Sequence, residues 1–145
     1  PVIWMQNIVV DLLLGLGVDE AFRIFADHVR DRYDAEPGFI TMNLPALLDV
    51  LERQGIDNPI VCANINKIGF RMSGGMDAYK DALQNRRCRV VAMSVFASGA
   101  IPPREALGWI YEQPNIHSVV FGASSRANIR NTRELVDEFT GAGQG

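Results

Sequence analysis

The chain has 145 residues, of which 48% are hydrophobic and 21% charged, the composition of an ordinary soluble globular protein with enough chain for one packed core. Net charge is −3, the dense basic run Arg86-Arg87-Cys88-Arg89 reads as a solvated helix end, and no nucleic-acid stripe is present. No apolar run approaches the roughly 18 residues of a membrane span. The apolar segment from Pro1 to Leu14 is broken by Asp11 and lacks the flanks of a signal peptide. Cys62 and Cys88 have no metal-ligand spacing and read as reduced thiols of a cytoplasmic protein, and no His/Cys/carboxylate grouping suggests a metal site.

In chain order, Val2-Ile3-Trp4-Met5 reads as a short buried strand that ends in Gln6-Asn7. The apolar stretch from Ile8 to Gly17 has no clear period and is left unassigned. Val18, Phe22, Phe25 and Val29 recur at three- and four-residue steps, which predicts an amphipathic helix over Asp19 to Tyr33. Pro37-Gly38 closes the connection, and Gly38 to Asn43 is the second strand. Asn43 is placed to cap a helix with Pro45 in its first turn, a stripe of Leu44, Leu47, Leu48 and Leu51, and Gly55 at its end. Pro59 to Ile65 is a third strand, followed by a glycine-bearing loop and a helix from about Met76 to Asn85. Arg89 to Val95 is a fourth strand, with Ser98-Gly99 opening its loop and Pro102-Pro103 starting a helix. His117 to Gly122 is a fifth strand. Ser124 or Ser125 caps a last helix to about Phe139, and residues 141–145 are expected to form a disordered tail.

Strand and helix thus alternate through residues 1–140, and the strands are short, continuous apolar runs, as expected when both faces are covered. The pattern predicts a parallel sheet with crossover helices. It leaves open whether the sheet is doubly wound or closed into a barrel.

Each strand carries small or amide residues at its C-terminal end: Gln6 and Asn7; Thr41 and Asn43; Asn64 and Asn66; Ser94 and Ser98; Gly122, Ser124 and Ser125. That edge is where parallel α/β proteins bind ligands. Amides offer a donor and an acceptor on one short side chain, although Asn43 and Ser125 also suit helix capping. In Gly122-Ala123-Ser124-Ser125-Arg126 a strand runs through glycine and hydroxyl residues into a helix N-terminus. Arg126 and Arg130 lie one turn apart, a pattern that favours an anion such as phosphate. Lys67, beside Asn66, is a further candidate as base or cation, with a surface lysine as the plainer reading. His28 and His117 read as solvated and structural, respectively.

These residues resemble the aldo-keto reductase superfamily. Arg89 to Ser94 with Ser98-Gly99 is similar to that family's seventh strand and loop, Glu105 to Ile110 to the following helix, and Ser118 to Ser125 to the eighth strand and its cofactor-phosphate loop. Phe39 to Asn43, Pro59 to Asn66 and Val2 to Asn7 fall at the fifth, sixth and fourth strands. The resemblance implies a TIM-type (β/α)₈ barrel, incomplete here at about five β/α units, that binds NADP(H). Asn43 would then meet the nicotinamide amide, with Asn64 and Asn66 at the same rim. Ser94, Ser98 and Gly99 would lie along the pyrophosphate, and Gly122, Ser124, Ser125 and Arg126 near the adenosine phosphate. The family's catalytic aspartate, tyrosine and lysine lie on strands that would precede Pro1, and Gln6 stands where it has a histidine. Met42 replaces its serine, and Thr132 stands near its last-helix asparagine. Gln6 and Lys67 are the weak catalytic candidates.

Three readings follow. The chain is the cofactor-binding part of a reductase-like oxidoreductase. Alternatively it is a barrel-derived binding or oligomerisation module without chemistry, or another barrel enzyme that uses Lys67 on a phosphorylated carbonyl. Five strands of a barrel expose two unpaired edges, so self-association or a missing N-terminal part is expected.

Overall fold

The computed structural model describes residues 1–141. Five strands form one sheet in the order β1-β2-β3-β4-β5, and every pairing is parallel: β1 (Val2–Met5), β2 (Glu36–Thr41), β3 (Ile60–Asn64), β4 (Arg89–Met93) and β5 (Ile116–Val119). Between them run α1 (Asn7–Leu16), α2 (Glu20–Tyr33), α3 (Leu44–Arg53), α4 (Met76–Asn85) and α5 (Pro103–Tyr111), and α6 (Arg126–Thr140) follows β5. A doubly wound sheet reverses its strand order at a switch point. Here spatial order equals chain order, so the sheet is wound in one sense.

Strand residues alternate between two faces. The register sets Phe39, Val61 and Val90 on one face with Thr41, Ala63 and Ala92. The apolar members of this set join Val10, Phe22, Leu44, Leu47, Leu51, Leu83 and Ile110 of the helices in the main core. The opposite face presents Trp4, Gly38, Ile40, Ile60, Cys62, Asn64, Val91 and Met93, none of which belongs to that core. The helices therefore cover one face and leave an apolar second face without a layer of its own.

Local chemistry explains the element ends. Asn43 caps α3 by accepting from the Ala46 N–H at 3.3 Å, and Ser125 caps α6 by accepting from the Asn128 N–H at 3.2 Å. Gly17, at φ 68°, ends α1 in the left-handed turn, its N–H and that of Val18 reaching back to Leu14 and Leu13. β2 begins at Glu36, two residues before the expected Gly38, so Pro37 lies inside the strand. Glu36 sends its N–H to Pro1 of the β1 side, and β3 pairing begins only at Gly38 with Ile60. The missing N–H of Pro37 consequently costs no ladder bond.

The segment left unassigned, Ile8 to Gly17, is largely α1. β4 ends at Met93 rather than Val95, because Ser94 turns to φ 56°. β5 runs Ile116–Val119 rather than to Gly122, and its register slips between Val90 and Val91, leaving His117 as the extra residue of an irregular edge. Gly141 is the left-handed cap of α6, and the tail expected over 141–145 otherwise lies outside the described residues. α6 packs on α5 through the stacked rings of Tyr111 and Phe139 at 6.2 Å and the Arg104–Glu138 pair. Among the described residues no helix is long and apolar enough to cross a membrane.

Candidate functional site

The parallel sheet brings the C-terminal ends of all five strands to one rim, as expected from the polar residues there. Within that rim the amides are not equivalent. Asn64, 2% exposed, accepts the Ser94 hydroxyl on Oδ1 at 2.7 Å and donates from Nδ2 to the Arg71 carbonyl at 3.1 Å. Asn66, fully buried, closes a two-way pair with the Phe70 backbone, both distances 2.8 Å. These two residues clamp the β3–α4 loop onto the rim, and their polar atoms are engaged by the chain itself. Asn43 spends Oδ1 on its cap, while its Nδ2 has no partner among the described residues.

A second network at the end of β2 was not anticipated. The buried Thr41 hydroxyl donates to Asp11 Oδ1 at 2.6 Å and accepts from the Asn43 N–H at 2.8 Å, and the Met42 N–H donates to the other Asp11 oxygen at 3.1 Å. Tyr79 completes it by donating to the Met42 carbonyl at 2.8 Å and accepting from the Leu44 N–H at 3.2 Å. Burial pushes the Tyr79 phenol up to about 12, so it stays protonated as a structural hydroxyl. The available signal was Asp11, a lone charge in an apolar run.

The β4–α5 connection carries the backbone strain of the rim. Ser94 (φ 56°), Ala97 (φ 46°), Ser98 (φ 58°) and Gly99 (φ 89°) are all left-handed, at about 1–2 kcal/mol for each non-glycine residue. Such strain persists only where surrounding packing holds it and gathers at functional sites. Here the packing is a small separate core of Ala97, Ile101 and Ala106 against Phe70 and Phe96. Between this loop and the end of β5 lies an open cavity of about 720 Å³, walled by Met93, Ser94, Phe96, Ser98, Gly99, Ile101, Phe121 and Gly122 among others. Its size and its apolar wall with few hydroxyls suit a small organic ligand.

Ser124, Ser125 and Arg126 lie outside that wall, on the exposed start of α6. Ser125 caps the helix, and Ser124 accepts from Asn128 Nδ2 at 3.3 Å. Arg126 and Arg130 are exposed and have no carboxylate partner among the described residues. Gln6 is exposed at the N-cap position of α1 without a side-chain capping bond. Lys67 pairs with Glu105 at 2.8 Å, bridging the β3–α4 loop to α5. A smaller cavity of about 340 Å³ lies at the opposite end of the sheet. Its guanidinium groups are already paired, Arg86 with Asp49 and Glu52, and Arg87 with Asp57. No group of metal-ligating side chains occurs among the described residues. Cys62 and Cys88 are free, buried thiols, each pushed up to about 11 by burial.

No protein-family model, curated protein or solved structure matches the chain.

Proposed function

We propose that the chain is the cofactor-holding part of a reductase-like β/α barrel and takes NADP(H) along the rim of β4 and β5. The reading rests on one observation: the 720 Å³ cavity between the strained Ser94–Gly99 loop and the end of β5. The one-sense winding, with helices on one face and an uncovered apolar face on the other, is what an arc of a TIM-type barrel would have.

The residues fit this ligand in part. Ser98 and Gly99 offer an exposed hydroxyl and an unhindered backbone to a pyrophosphate. Beyond Gly122, the start of α6 adds helix N–H groups and the exposed Arg126 and Arg130, which have no carboxylate partner among the described residues, for a ribose phosphate. The Asn43 Nδ2 remains free to donate to a carboxamide. Asn64 and Asn66 support the rim rather than touch the ligand, and the Ser94 hydroxyl is committed to Asn64.

The cofactor would supply the hydride. A proton donor is a separate requirement, and the chain does not meet it with the candidates at hand. Tyr79 is buried and doubly hydrogen-bonded, Lys67 is tied to Glu105, and Gln6 cannot relay a proton. The proposal is therefore one of cofactor binding, and the tie of Lys67 to Glu105 weighs against the reading in which Lys67 attacks a carbonyl. The free thiols accord with a reducing, cytoplasmic setting.

Fluorescence titration tests the proposal. NADPH quenches the chain's tryptophan emission, Arg126→Ala weakens NADPH about tenfold, and NADH is indifferent to that change. Absence of any saturable NADPH signal contradicts the reading.

A further inference from the structure

We propose that Phe70, on a loop that contributes nothing to the wall of the 720 Å³ cavity, sets the shape of that wall as a positioning residue. The inference rests on the reading of this cavity as the cofactor site and brings a second loop under its control. The wall comes from the β4–α5 connection and the end of β5. Ile101 serves on two sides of it: one faces the cavity, and the other belongs to the small core that it forms with Ala97 and Ala106. Phe96 likewise lines the cavity and packs against that core, and its ring meets that of Phe121 with centroids 6.4 Å apart. Phe70 reaches the same core from the β3–α4 loop, whereas its other members lie within residues 96–106.

The loop is built to hold that ring in place. Asn66 bonds both the N–H and the carbonyl of Phe70, Asn64 holds the next carbonyl at Arg71, and the Arg71 guanidinium lies 5.2 Å from the Phe70 ring centroid. The Lys67–Glu105 pair ties the same loop to α5 at 2.8 Å. On the other side of the contact, Ala97 and Ser98 keep a left-handed backbone that persists only while its surroundings over-determine it. Truncating Phe70 removes the packing behind Ala97 and Ile101. The connection then relaxes, and Ile101 and Phe96 leave the wall. A ligand binds only the fraction of molecules whose wall is formed, so its apparent affinity falls with that fraction.

Two readouts test this, the first without ligand. Phe70→Ala is expected to shift or broaden the backbone amide signals of Ala97, Ser98 and Gly99, and to leave in place those of Gly55 and Asn58 at the opposite end of the sheet, which report an intact fold. In the second, followed by tryptophan quenching, NADPH binds Phe70→Ala about tenfold more weakly than the unsubstituted chain. Phe70→Leu, which keeps an apolar wedge, stays within about threefold and shows smaller shifts at the same three amides, and it carries the test if Phe70→Ala does not fold. Ile68→Ala, at a position of the same loop that is 59% exposed, moves neither readout. An unsubstituted chain that ignores NADPH removes the cofactor reading, and the ligand-free amide signals then decide the role of Phe70 by themselves. The proposal is overturned by unmoved signals at Ala97, Ser98 and Gly99, by a chain that binds NADPH equally well with and without the Phe70 ring, or by equal effects from Ile68→Ala.

Discussion

The hydroxyl of Ser94 donates to Oδ1 of Asn64 across 2.7 Å, joining the C-terminal ends of β3 and β4 beneath the candidate ligand cavity. Ser94 adopts φ 56° as it does so, and the same asparagine holds the Arg71 carbonyl with its amide nitrogen. One buried side chain thus fixes the strained loop that walls the cavity and the loop that follows β3.

Replacing Asn64 by alanine leaves the half-buried Ser94 hydroxyl and the Arg71 carbonyl without this partner. Stability is expected to fall by about 2–3 kcal/mol in urea unfolding. Ser94→Ala removes one of these bonds and strands the buried Asn64 Oδ1, at about 1–2 kcal/mol, while the Arg71 carbonyl keeps its partner. Equal costs for the two substitutions would show that Asn64 is not the shared anchor.

Gly38 is a steric requirement. A Cβ there would fall 2.5 Å from Cε3 of Trp4, whose indole occupies the space beside Gly38 on the face without helices. Gly38→Ala must displace that ring, with a loss of about 1–3 kcal/mol and a red shift of tryptophan emission. Unaltered emission and stability would place the indole elsewhere.

The pair between Glu36 and Arg89 spans the N-terminal ends of β2 and β4, passing beside β3. The Arg89 guanidinium holds the Glu36 carboxyl below the usual carboxylate range. Its stabilisation is therefore complete above the unfolded carboxylate range and disappears as pH falls through the folded value. Solvent exposure limits it to no more than about 1 kcal/mol. Glu36→Gln should lower stability at pH 7 by that amount, and the gap should close on acidification. A gap constant with pH would assign the effect to packing instead.

Much of the fold was legible because apolar period carries it. Phe22 with Val29, and Leu44 with Leu47 and Leu51, mark helices that pack on one side only. α1 escaped for the opposite reason: apolar residues on every side erase the period. The strands of β3 and β4 were legible as apolar runs, but the end of β4 was not, because a serine at φ 56° has no signature of its own. At the site, Asn43 and Ser125 were recognisable as caps from the helix starts that follow them. Asn64 and Asn66 were recognisable only as rim residues. Their partners are backbone groups of Arg71 and Phe70, and backbone groups look alike in any sequence. Asp11 and Thr41 stand thirty positions apart, and only the parallel crossover brings them together.

The proposed NADP(H) site is one rim, at the ends of β4 and β5. Backbone amide chemical shifts of the chain titrated with NADPH test it most directly. Saturable shifts are expected at Ser98, Gly99, Gly122 and Arg126, with little change at Gly55, Asn58 and Arg86 at the other end of the sheet. Shifts confined to that other end, or none at all, would contradict it.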